Sequence, residues 1–293
     1  MYGIPFPGIP HLLLTATHLD NLNLSGIPDS GYIPAEAIAT CLSVLTNLRT
    51  LSLNFLFPLS RPDWESQPLP PTTRSSLSCL DGFWFTGASE YLDDLVAWID
   101  APRLHILSIS FFEQFDDFDN PHLVQFIGRT PRFQEPNEAH LRLEFDAIVL
   151  LWESDDHGRL SVTISCEDSD PHPLDLAQVC TMCLPSLPTV ESLQLGVFSK
   201  TLYSELEWKD GVEDDQWLEL LRPFTAVKSL YLSKEFQPDI AAALQELVGE
   251  RATEVLPSLQ NIFLAKIGSF HETIGQFIAA RQLSGHPIAV LPL

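Results

Sequence analysis

Lysine is nearly missing from this chain, with five in 293 residues; with arginine it supplies 16 cations against 39 aspartates and glutamates, a formal net charge of −23. Nucleic-acid binders draw most of their affinity from Lys and Arg that neutralise phosphates. No basic run or basic amphipathic helix is present, so neither nucleic acid nor an anionic membrane fits as a partner. A basic protein surface fits better.

Long apolar runs are also missing. The uncharged stretch near Ala37–Leu48 falls well short of a membrane span. The opening "MYGIPFPGIPHLLLTATHLD" lacks a basic n-region, and "HLLLTA" is too short for the core of a signal peptide. Cysteine is sparse and odd in number, five in all, which argues against a disulfide framework and for a reducing compartment. The sequon Asn23-Leu24-Ser25 falls within a predicted strand and reads as a chance match. These features predict an intracellular protein, cytoplasmic or nuclear.

Signatures of catalysis are missing as well. The chain has no G-x-S-x-G, no G-x-x-x-x-G-K-[ST], no G-x-G-x-x-G and no helical H-E-x-x-H. Cys180 and Cys183 form one C-x-x-C without a second pair to complete a zinc site. On the apolar segment "LAQVCTMCLP" they read as small core residues. The acidic runs "EQFDDFDN", "ESDDHG", "CEDSDPH" and "VEDD" do not match a calcium loop and read as solvated loop ends and first helical turns. The sequence therefore predicts no enzyme, no cofactor and no metal.

What the chain does have is a repeat. The spacing L-x-x-L-x-L occurs as Leu19-Leu22-Leu24, Leu48-Leu51-Leu53, Leu80-Phe83-Phe85 and Leu104-Leu107-Ile109. It returns as Val190-Leu193-Leu195, Val227-Leu230-Leu232 and Leu259-Ile262-Leu264. The central residues lie 29, 32 and 24 apart in the first series, and 37 and 32 apart in the second. That period marks a leucine-rich repeat. In each match the last two apolar residues stand two apart, on one face of a short strand.

Segments with three- and four-residue apolar spacing lie between the matches: 34–45, 90–99, 121–128, 174–184, 215–221, 239–256 and 271–283. Pro102, Pro185, Pro223 and Pro257 end several of them just before the next strand. One such unit buries too little to fold alone, so neighbours must share a continuous core. The expected fold is α/β: an irregular leucine-rich-repeat solenoid, parallel strands on the concave face and helices on the convex face. It is read as one domain over 1–293, with a Pro-rich loop insertion at about 57–76 and an irregular middle section at about 131–172. In that middle section "AIVLLW" and "LSVTI" could pair as a hairpin about Asp155–Gly158, and "LSVTI" would equally serve as a repeat strand. The closing "HPIAVLPL" is a candidate terminal strand.

Residues between the ladder positions should point out of the core into the concave face. Trp84, Tyr231 and Phe263 hold such positions, as do Asn23, Ser52, Ser108 and Gln194. These seven are the candidate partner-binding residues. Two readings of the aromatics stand: anchors for a partner, or rings covered by a loop or stacked on neighbours in adjacent strands.

The segments "ASEYLDDLVAWIDAPRL" (88–104), "WLELLRPFTAVKSLYLS" (217–233), "LVGERATEVLPSLQNIFL" (247–264) and "IGQFIAARQLSGHPIAV" (274–290) resemble a family of basidiomycete-fungal F-box-like proteins, in the leucine-rich-repeat region behind the F-box. No F-box-like opening, a Leu-Pro-x-Glu leading a small helical bundle, stands before the first repeat. The resemblance implies substrate recruitment: the F-box docks a Skp-type adaptor on a cullin ubiquitin ligase, and the repeats hold the target protein. The alternative is a free-standing interaction module with no ligase link. Ile27 and Leu56 stand where such repeats often carry Asn, so the expected solenoid is irregular.

Overall fold

The computed structural model describes residues 9–28, 31–56, 73–112, 120–144, 147–153, 158–165, 177, 180, 187–197, 214–247, 249–264 and 274–293. In chain order the elements are α1 (Ile9–Thr15), β1 (Asn21–Ile27), α2 (Ala35–Ser43), β2 (Thr50–Phe55), β3 (Ser75–Ser76), β4 (Gly82–Gly87), α3 (Ser89–Trp98), β5 (Ile99–Asp100), β6 (Ile106–Phe111) and α4 (Pro121–Arg129). Then follow β7 (Glu138–Glu144), β8 (Ala147–Glu153), β9 (Arg159–Ser165), β10 (Ser192–Val197), α5 (Asp214–Leu221), β11 (Ser229–Leu232), α6 (Gln237–Gln245), β12 (Asn261–Leu264), α7 (Gly275–Leu283) and β13 (Ala289–Pro292). The chain is thus α/β, with mostly parallel strands. It divides into two compact units, Met1–Gln134 with Ser154–Ser165, and Glu135–Glu153 with Cys166–Leu293. Both carry the repeat, which is why the sequence reads as one continuous domain.

In the first unit β1, β2, β4, β6 and β9 lie side by side, all parallel. The ladder residues fall on the face turned inward. Leu22, Leu51, Phe83, Leu107 and Leu160 share one register row, and Leu24, Leu53, Phe85, Ile109 and Val162 the next, all buried. One carbonyl sets each step. The Asp20 carbonyl accepts the N–H groups of Arg49 and Thr50, the Arg49 carbonyl those of Asp81 and Gly82, and the Asp81 carbonyl those of His105 and Ile106. Each repeat therefore starts its strand at the height its neighbour dictates. That matters because a slip of one residue would turn the ladder to solvent.

Helices α2, α3 and α4 pack in sequence, each on the next. Phe55, Phe85 and Tyr91 meet beneath the strand ends, and the Tyr91 hydroxyl donates to the Ile33 carbonyl at 2.9 Å. β1 breaks register between Ser25 and Ile27. Gly26 there takes φ +69°, a left-handed conformation that strains any residue with a Cβ. The bulge returns Ile27 to the core.

In the second unit β10, β11, β12 and β13 run parallel, and β10 also pairs in parallel with β7. β7 and β8 form an antiparallel pair, Glu138 opposite Glu153 through Glu144 opposite Ala147. The carbonyl device recurs: Asn137 accepts from Glu191 and Ser192, Glu191 from Lys228 and Ser229, and Lys228 from Gln260 and Asn261.

Several sequence expectations meet a different structure. "AIVLLW" takes 138–144 as its antiparallel partner, an alternating run too short for its pairing to be read in advance. "LSVTI" becomes β9, a repeat strand parallel to β6, the second of its two anticipated roles. The long helix expected over 239–256 stops at Gln245; Gly249 at φ +62° opens a separate 3-10 turn over Gly249–Thr253. α1 and the two-residue pairing of β3 with β5 were not anticipated. Most of the expected helix 174–184, including Cys183, and most of the insertion 57–76 lie outside the described residues, whereas Cys180 is fully buried. "HPIAVLPL" does end in a strand, β13, parallel to β12. No helix among the described residues is long and apolar enough to cross a membrane.

Candidate recognition face of the sheet

Alternation along each strand fixes which side chains reach solvent, and in-register pairing fixes which of them become neighbours. Together these place the seven sequence-selected residues in two rows. In the first unit Asn23, Ser52, Trp84 and Ser108 occupy adjacent strands at one height, continued by Ser161. In the second, Gln194, Tyr231 and Phe263 do the same, flanked by His140 on β7 and Leu291 on β13.

Trp84 is 37% exposed, while Trp152 and Trp217, both off this face, are 2% and 1% exposed. Its indole folds back along its own strand over Gly82. A Cβ on that glycine would stand 2.3 Å from the ring's Cη2 and 2.5 Å from Cζ3. Gly82 is consequently buried although it points to the solvent side. Tyr231 and Phe263 are half-buried and stack on each other, centroids 4.5 Å apart and planes 6° apart. Of the two readings left open for these aromatics, cross-strand stacking accounts for part of their surface. Leu291 beside Phe263 is 37% exposed.

Charge on these rows is low. At the start of the second unit's strands Lys228 is tied to Glu191, Nζ to Oε1, at 2.6 Å. Nearby, Lys228, Ser258, Gln260 and His286 line an open hollow of about 620 Å³; its lysine is already engaged.

One group among the described residues has metal-ligand composition: Glu138, His140 and Glu153 on the β7–β8 pair, with ligand atoms within 4.8 Å of one another. His140 Nε2 stands 3.6 Å from Glu138 Oε2. Sequence reading missed it because its residues meet only through the antiparallel pairing. Metal-binding imidazoles normally donate their second nitrogen to an acceptor that orients the ring. His140 Nδ1 is buried with no hydrogen-bond partner, so the group lacks that support.

No protein-family model matches the chain, and no curated protein or solved structure matches it either. The reading of function therefore rests on the residues themselves.

His140, Leu291 and Ser161 join the rows without having been singled out from the sequence. Ser161 and Leu291 sit in the runs "LSVTI" and "HPIAVLPL", at positions that become outward only once each run is recognised as a strand of the ladder, whereas His140 precedes any such run and is placed by the pairing of β7 with β10.

Proposed function

We propose that this chain is a non-catalytic protein-recognition module, an irregular leucine-rich-repeat solenoid with its strands on the concave face. We further propose that it is the substrate-binding part of an F-box-like ubiquitin-ligase receptor. The observation that carries the recognition reading is the row Gln194, Tyr231, Phe263 and Leu291. Aromatic and apolar side chains are held there in register on the solvent side of a sheet whose other side is already a closed core. Rings of this type, pre-positioned and partly exposed, are the usual anchors of protein interfaces. The ligase half rests on the resemblance of the repeat segments alone.

Affinity purification of the chain from a basidiomycete lysate, with quantitative mass spectrometry, tests both halves. The ligase reading expects a Skp-type adaptor and a cullin among the captured proteins, and further prey lost in Tyr231→Ala/Phe263→Ala. Prey that depend on the aromatic row without adaptor or cullin would favour a free-standing interaction module. Prey unchanged by the double substitution would sink the recognition reading.

A further inference from the structure

The first unit carries a surface of different chemistry. Trp84 is bordered in register by Ser52 and Ser108, with Asn23 and Ser161 beyond them, and Asn54 stands two residues on along β2. None of these is buried. Among the outward positions of β1, β2, β4, β6 and β9, Arg159 alone is charged. On a chain of net charge −23 that is a strong local exclusion. A ligand of this face is not selected by ion pairs.

We propose that this face binds a neutral oligosaccharide, a chain of β-linked uncharged pyranose units, with Trp84 as its stacking platform. The proposal goes beyond protein recognition and rests on another row in another unit. Three observations carry it. First, the indole is seated before any ligand arrives, because the bare backbone of Gly82 lets the ring lie over it while 37% of the residue stays exposed. A platform already in place loses little freedom on binding. Second, the electron-rich face of an indole attracts the weakly positive C–H groups that a pyranose presents on its flat side. Third, hydroxyls and amides both donate and accept, as a sugar's hydroxyls do, so Ser and Asn can satisfy a polyol in either sense. Adjacent strands repeat these groups every 4.7–4.9 Å or so, on the scale of one sugar ring. An uncharged peptide is the rival occupant, since its backbone amides would also pair with these hydroxyls, and the sugar titration below decides between them.

Titration calorimetry of the intact chain with laminarihexaose, cellohexaose and chitohexaose tests the proposal. At least one of the three should bind. Trp84→Ala should weaken it at least about tenfold, the equivalent of about 1.4 kcal/mol, while Trp84→Phe keeps most of the affinity. Gly82→Ala, which unseats the ring without deleting it, should weaken binding as well. Raising the ionic strength to about 0.5 M, where surface charges are screened, should leave affinity unchanged. Circular dichroism of each variant separates lost binding from lost folding. Failure of all three sugars to bind at millimolar concentration overturns the proposal. So does binding that survives Trp84→Ala, or binding that salt abolishes.

Discussion

The rings of Tyr231 and Phe263 stack across neighbouring strands, centroids 4.5 Å apart and planes 6° apart, at positions paired in the register of β11 and β12. Each ring thus serves as the other's support. Tyr231→Ala and Phe263→Ala should be non-additive, with a coupling of about 0.5–1.5 kcal/mol in a double-mutant cycle. Urea denaturation of the two single variants and the double variant measures it. Strict additivity would mean the stacked arrangement contributes nothing in solution.

Trp84 and Gly82 form a second pair whose coupling has the opposite origin, a clash that substitution creates. Gly82→Ala places a methyl 2.3 Å from the Trp84 ring, and the part-exposed indole swings off its seat to make room, so the change should cost about 1 kcal/mol. In a Trp84→Ala background the space is free, so the same change should cost well under 1 kcal/mol. Equal costs in the two backgrounds would show that the indole does not rest on Gly82.

Arg281 is fully buried. Its Nη2 donates to the carbonyls of Leu259 at 2.8 Å and Pro257 at 3.2 Å, and its Nη1 to those of Leu256 and Ala252. Burial holds its guanidinium pKa below the usual arginine range. The segment it clamps includes Leu256 at φ +49°, a left-handed conformation uncommon for a non-glycine residue. Arg281→Met should strand several buried carbonyls and cost about 3 kcal/mol or more. Arg281→Lys should recover little of this, since an ammonium lacks the planar fork. Thermal melts of the two variants compare them directly.

Asp93 is buried in α3 and accepts the Leu123 N–H at 2.8 Å, capping the first turn of α4. Burial pushes its carboxyl pKa up, only partly offset by the Leu123 hydrogen bond and by His122. A carboxyl whose pKa is higher folded than unfolded binds more protons when folded, so its contribution to stability rises as pH falls toward the unfolded value. Asp93→Asn keeps the acceptor and removes the buried charge. The variant should match or exceed the parent in stability at neutral pH, and lose that advantage as pH drops through the range where Asp93 takes up its proton. Chemical denaturation between about pH 7 and pH 4 follows the difference. An Asn variant markedly weaker at pH 7 would show that the carboxylate charge itself holds α4.

The ladder was legible because most of its strands announce themselves twice, by two apolar residues two apart and by a helix-period segment before the next; β2, followed by the Pro-rich stretch 57–76, has the first signal alone. Leu22, Leu51, Phe83 and Leu107 therefore fell into one row without any structure in view, and so did the outward residues beside them. The β7–β8 pairing was not legible, since 138–144 alternates and 147–153 is a continuous apolar run, patterns that suit several partners, and their register is set only by contact. The seat of Trp84 on Gly82 was also beyond the sequence. An aromatic two residues after a glycine is common, and only the strand geometry shows the ring turning back over it.

The proposed partner protein rests on the solvent side of the second unit's sheet. Gln194 lies on that side next to Tyr231, while Glu219 is exposed on helix α5. A photo-cross-linking phenylalanine placed at one or the other position of the intact chain, irradiated in cells that express it, measures this directly. A discrete cross-linked product is expected from position 194 and none from position 219. A product from 219 alone, or the same product from both, would contradict it.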